Sequence, residues 1–569
     1  MTPRRTVPVL LLLAIMLAVT GCVAIPDSSA PQPVEQFNRT QPTNLVPTPR
    51  RSDDPETVVR NFLKAMADPA SGHKAARRFL TTGASSRWDD QGPTTVLDDV
   101  RVVVDERNES AIRLRVIGTR VGVLSTIGQL TPVDGEMVMP LTLNQVKGSW
   151  RVEGDLEPGT VTDRTQFDSS YRLAQLFYPD RTATRLVGDP RWLFGGALDP
   201  TAVVTRLLAG PAPDLTGAVE SPAGKDVELR GPVAIDGDTV TINLGGLVDA
   251  DPRNRTVLAA QLIWTLDAAS FRGTYRITSD GSPLVADRAD GWRTADVKSF
   301  DPEPDTGQVP PLHVVRGGLL RVTSAGTAQV SGPLGSATDL RAAALSADQT
   351  RVAAVADRGG RRVLLQGPYG GIPTEVVSGG DIVTPGFGAT ADVGYAVVDG
   401  KPVQWTTDQA GAARVVPLDI SQVAAIDPRP ITAFQVSPDG VRAALLVGGR
   451  VLLAVLTTND RGVPSLSGVH QTAYDIGSVV ALAWGGIENL YLARTGDDAP
   501  VLRIPVSGVP ALPLVSGNLK PPVVALAATR TKVYAADSNG ILEIGTAPGG
   551  VDQYWTSVGD TGRGAIPVS

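Results

Sequence analysis

Residues able to do chemistry are few and widely spaced in this chain. Histidine occurs three times in 569 residues, as His73, His313 and His470, and cysteine once, as Cys22. A hydrolytic triad needs a nucleophile, a histidine base and a carboxylate within hydrogen-bond reach, and here it would have to use His313 or His470. No HExxH zinc motif, GxSxG elbow or GxxxxGK[S/T] phosphate loop occurs. His313 stands before Val314-Val315, which reads as a strand position. Asp236 and Asp238 flank Gly237, and Asp249 and Asp251 follow a strand-like run. Either pair could bind calcium through oxygen, yet Asp and Gly are also what tight turns select. Asp439 in Ser437-Pro438-Asp439-Gly440 reads the same way. Trp192, Trp264, Trp292, Trp405, Trp484 and Trp555 could line a sugar groove, but with aromatics at 5% most are expected in the core. The expectation is a protein with no enzymatic activity, no metal and no cofactor.

Cys22 is different, because what precedes it gives it a task. Arg4 and Arg5 form a positive start, and 7–19 is apolar apart from Pro8. Thirteen residues cannot span about 30 Å of hydrocarbon as a helix, so 1–21 reads as a signal peptide. The run Val19-Thr20-Gly21-Cys22 resembles the lipobox of bacterial lipoproteins. That resemblance implies a diacylglycerol thioether and an N-acyl group on Cys22 and anchorage on the outer face of the cytoplasmic membrane. One acyl chain holds a protein on a bilayer only marginally, whereas two or three hold it stably. With a single cysteine the chain cannot form an internal disulfide.

Net charge is −7, and loss of Arg4 and Arg5 with the leader takes it to about −9. A chain of that balance has no general attraction for phosphate backbones, which argues against a nucleic-acid partner. Length excludes a single core, since cores stop growing near 250–300 residues.

The elements that must position any site fall into five stretches. Residues 22–53 carry the lipidated cysteine and a tether broken by Pro26, Pro31, Pro33, Pro42, Pro47 and Pro49. Residues 54–165 open with Asp54-Pro55, a cap and first-turn signal. Val58, Val59, Phe62, Leu63 and Met66 follow as one buried stripe. A second helix is expected around 74–80. Strand-like runs follow at 100–104, 112–116, 137–143 and 150–152, suggesting an α+β domain of the cystatin or NTF2 shape. Residues 166–300 begin with the run 173–178, which leads into Pro179-Asp180. The helix after Asp199-Pro200 buries Val203, Val204, Leu207 and Leu208 and ends at Gly210-Pro211. Val240–Leu244 alternates as a half-buried strand. A helix over 253–266 stacks Leu258, Leu262 and Leu266, and strand 273–278 leads to the turn Asp280-Gly281.

From 301 to 569 short apolar runs alternate with Gly, Asp, Ser and Pro turns, without helical periodicity. A repeat of strand, polar turn and strand is clearest at 343–355 and 434–447. Looser copies turn at Thr390, Trp484 and Ala527, so that turns recur about every 43 to 47 residues. This is the length of a four-stranded propeller blade. A further copy beginning near Leu312 brings the number to about six, and 565–568 could pair with the first blade to close the ring.

The middle stretch resembles the GerMN domain in Phe177–Asp180, in Leu207-Leu208-Ala209-Gly210-Pro211, and in Gln261–Leu266 before a strand and Asp-Gly. The whole order of lipobox, Pro-rich tether, α+β domain, GerMN-like domain and all-β propeller resembles the LpqB lipoprotein family. The resemblance implies a protein that binds the outer domain of the sensor histidine kinase MtrB and modulates two-component signalling in cell-wall homeostasis and cell division. It marks no partner-binding residue. The other readings of the residues are a module for a cell-wall glycan or small molecule, seated in the propeller channel or GerMN-like groove, and, less favoured, a propeller hydrolase.

Overall fold

The computed structural model describes residues 47–568 except 248–250, 304–309, 409, 475, 497 and 548–549. The leader, Val19, Thr20, Gly21 and Cys22, and most of the tether lie outside the described residues. Asp54 accepts from the Thr57 amide at 3.0 Å and caps α1, Pro55–Met66. Its stripe Val58, Val59, Phe62, Leu63 and Met66 is buried. Helices α2 (Ala70–Arg77) and α3 (Thr82–Arg87) follow. Their sheet comprises β1 (Thr94–Arg107), β2 (Ala111–Leu124), β3 (Leu130–Thr131), β4 (Glu136–Val146), β5 (Ser149–Glu153) and β6 (Thr160–Asp163). Its order is β5-β4-β2-β1-β6, with β3 on β2, so helices come first and pack on one sheet face.

The right-handed turns of α2 begin at Lys74, where the sequence places them, and a left-handed turn precedes them. Ser71, Gly72 and His73 are left-handed, with φ of 53°, 65° and 50°. This turn lets His73 Nδ1 reach Asp90 Oδ2 at 2.9 Å while Arg77 Nη2 meets Asp90 Oδ1 at 2.9 Å.

Helix α4 (Arg164–Ser170) leads into the hairpin β7 (Tyr171–Pro179) and β8 (Leu186–Phe194). Helix α5 (Pro200–Leu208), capped by Asp199, buries Val203, Val204 and Leu207. Short strands β9 (Glu228–Leu229) and β10 (Ala234–Asp236) precede β11 (Thr239–Gly245). Helix α6 (Pro252–Ala268) then crosses to β12 (Thr274–Ser279), parallel to β11, and β13 (Ser282–Pro283) ends the sheet. A shared core joins Leu176 and Tyr178 of the hairpin, α5, β11, α6 and Trp292.

Among the described residues from 313 onward, the strands form six four-stranded antiparallel sheets. Blade 1 holds three strands within 313–329, and its fourth is Ile566–Pro567 from the far end of the chain. Val314 pairs with Pro567 and Val315 with Ile566, so the ring closes by antiparallel pairing of its two ends. Blades 2 to 6 occupy 340–379, 382–417, 431–471, 479–513 and 525–557. In a middle strand such as Arg442–Val447 every residue is buried, because both its faces pack on neighbouring blades; hence the unbroken apolar runs. Two expectations need correction. Trp484 and Ala527 lie inside strands 479–485 and 525–528, just before their turns. Short helices also interrupt the ring at Pro333–Ser336 and Ser421–Ile426.

Candidate functional site around the β7–β8 hairpin

Charged side chains two apart on a strand share a face, and β8 places Asp189 and Arg191 in this way on a buried one. They are 2% and 1% exposed. Arg191 Nε donates to Asp189 Oδ1 and Nη2 to Oδ2, both at 2.7 Å. Burial works against the Arg191 cation, but its two-pronged bond to the carboxylate prevails and raises its affinity for the proton. Asp189 also accepts from the Ala212 amide at 2.9 Å, and Arg191 Nη1 donates to the Ile127 carbonyl of the N-terminal domain at 2.9 Å. One ion pair therefore fastens two domains.

Neighbouring contacts bring in the propeller. Trp192 donates its amide to Gly128 O at 2.7 Å and its indole to Ser507 O at 2.9 Å. Gln129 Nε2 donates to Asp214 Oδ2 at 2.9 Å. Gly508, with φ of 85°, lies so close to the Leu130 carbonyl that a β-carbon there would collide with it. Arg442 of blade 4 donates to Gly188 O at 2.6 Å and stands 3.7 Å from Asp439 Oδ2. The void left at this junction is about 40 Å³, space for a water or two.

A second seam of the same middle domain is open. The β7–β8 turn (Asp180, Arg181, Thr182) and Gly217 face blades 3 and 4 across a cleft of about 330 Å³. Thr390, Tyr395, Gln404, Thr457 and Thr458 line its propeller side. The segment leading toward the ring packs on blades 5 and 6. There Glu303 Oε1 accepts from the Ile487 amide at 2.8 Å, with Arg530 Nε 3.7 Å from Oε2. Burial pushes the Glu303 carboxyl above its ordinary range.

The residues singled out from sequence do not converge. His73 is paired with Asp90 in the N-terminal domain. His313 sits in the first strand of blade 1, with Nδ1 2.9 Å from Pro311 O and Nε2 2.7 Å from Tyr369 Oη; burial lowers its proton affinity. His470 borders the small void in blade 4, its Nδ1 3.0 Å from Gly468 O. Asp236 and Asp238 belong to the exposed β10–β11 turn, and Asp251 caps α6; Asp249 is outside the described residues. Asp439 organises its turn, accepting from Ser437 Oγ and from the Val441 amide at 3.1 Å. Among the described residues no three metal-binding side chains gather. Trp292, Trp405, Trp484 and Trp555 are buried, while Trp192 and Trp264 are half-buried. Sequence reasoning missed Asp189, Arg191 and Arg442. Asp-Pro-Arg inside the apolar run Leu186–Phe194 was the available signal.

Helix-and-sheet domain, GerMN-type domain and closed propeller, in that order, define a multidomain propeller protein. Residues 48–168 match the lipoprotein LpqB N-terminal domain, 175–285 the sporulation and spore germination domain, and 317–569 the lipoprotein LpqB beta-propeller domain. Lipoprotein LpqB of Rhodococcus jostii (strain RHA1) is 35% identical over 597 residues, covering 100% of both chains. That of Mycobacterium leprae (strain TN) is 34% identical over 589 residues, covering 99% of each. The chain belongs to the LpqB lipoprotein family. None of the three matched domain families is described by a catalytic activity. No helix among the described residues is long and apolar enough to cross a membrane.

Proposed function

We propose that this chain is held by lipid on Cys22 at the outer face of the cytoplasmic membrane, where it binds the outer domain of an MtrB-like sensor histidine kinase and modulates its signalling in cell-wall homeostasis and division. The observation that carries the reading is full-length similarity to LpqB lipoproteins across all three domains. It acts by association, without chemistry of its own. A lipoprotein that binds one sensor conformer more tightly shifts the sensor's population toward it, and equal affinity for both conformers would shift nothing. Confinement to one membrane raises the effective concentration, so a weak interface suffices.

The test immobilises the detergent-solubilised chain and adds the sensor's outer domain. Saturable binding is expected; its absence with folded protein on both sides overturns direct contact. Cys22→Ala is expected to leave the membrane fraction, and retention after a high-salt wash would overturn the lipid anchor.

A further inference from the structure

We propose that the cleft between the β7–β8 turn and blades 3 and 4 is a binding site for a neutral, polyhydroxylated ligand of saccharide type. At about 330 Å³ it lies at the lower end of the roughly 300–1,000 Å³ range of small-ligand sites, and it occupies a domain interface, where such sites concentrate. Its lining is rich in short hydroxyls and amides. Thr182 reaches it from the turn, and Thr390, Thr457, Thr458, Tyr395 and Gln404 from the propeller. Thr182, Thr390 and Thr458 are exposed at its rim, whereas Tyr395 and Gln404 are set deeper, with Gln404 Nε2 on Tyr395 Oη at 2.8 Å. Between the polar groups lie Val393, Val441 and Leu456. This alternation suits a sugar ring, whose edges carry hydroxyls and whose faces carry C–H groups.

Charge selects against other small ligands. Among the described residues the one cation in the lining is Arg181, which donates to Gly217 O at 3.2 Å, and Asp180 faces the same space, while Asp439 is buried 3.7 Å from Arg442. A phosphate or carboxylate would meet the exposed Asp180 carboxylate beside a single guanidinium already bonded to Gly217 O. A lipid chain would find only short apolar side chains between hydroxyls. The site is also two-sided, since the occupant touches the GerMN-type domain and the propeller together.

The experiment titrates the detergent-solubilised full chain with maltose and N,N′-diacetylchitobiose, and with glucuronate and inorganic phosphate as anionic probes, followed by saturation-transfer NMR. Saturable binding of at least one neutral disaccharide is expected, with weaker or no binding of the anions. Thr458→Trp, an exposed position, fills the cleft and is expected to abolish binding while the thermal unfolding midpoint stays put. Gln404→Leu is expected to weaken binding by about 2- to 10-fold, the loss of one neutral hydrogen bond. No disaccharide binding, tighter anion binding, or binding unchanged in Thr458→Trp overturns the proposal.

Discussion

The GerMN-type domain meets its neighbours along two seams built in opposite ways. At Asp189–Arg191 the seam is close-packed and charged, and its void is about 40 Å³; at Asp180–Thr182 it is hydroxyl-lined and holds about 330 Å³. Buried charge demands specific geometry, because a misplaced partner leaves an ion without solvent. Exposed threonines demand nothing, since water satisfies them. One seam therefore sets how the three domains are held, and the other leaves room for an occupant without cost to that arrangement.

The largest expected effect tests the closed seam. Arg191→Ala strands the Asp189 carboxylate in the interior and should destabilise by about 3–5 kcal/mol, read as a fall in the denaturant midpoint. A loss below 1 kcal/mol would mean that the pair does not lock the seam. Next comes Gly508→Val. Its φ of 85° and the nearby Leu130 carbonyl should cost about 1–3 kcal/mol, with earlier proteolysis between the N-terminal domain and the propeller as the sign.

Glu303→Gln addresses a contact outside both seams, on blades 5 and 6, and its sign is opposite. Glutamine keeps the acceptor for the Ile487 amide and removes a charge that burial disfavours. The folded carboxyl lies above its ordinary 4.5, so wild-type folding is favoured by the protonated form, and that contribution is lost as pH rises through the folded value. The variant should therefore match wild type in acid and exceed it in stability near neutrality. Unfolding midpoints across that pH range decide it, and a variant less stable at pH 7 would reverse the inference. Smallest is Thr458→Val at the open seam, expected within about ±0.5 kcal/mol. If it cost as much as Arg191→Ala, the contrast between the seams would collapse.

Legibility in the sequence followed the range of the interactions. Helix α1 was readable because its cap, first-turn proline and apolar stripe lie within 54–66. Strand β11 was readable from its alternation, and the six blades from their recurring turns. The left-handed turn ahead of Lys74 was not readable, because Asp90, the partner of His73 and Arg77, lies thirteen residues beyond Arg77. The turns assigned at Trp484 and Ala527 were drawn into strands for a related reason. Apolar residues at the end of a strand carry no local mark of where pairing with the next strand stops.

By itself the sequence determined periodicity, caps, turn chemistry, the lone cysteine and the order of the domains, all properties of neighbours along the chain. Tertiary structure alone decided that Asp189 and Arg191 neutralise each other at a domain junction, that Arg442 reaches Gly188 from 254 positions away, and that a turn and two blades enclose a cleft. Each of these depends on distances between segments remote in the chain, and no local pattern of residues encodes a distance of that kind.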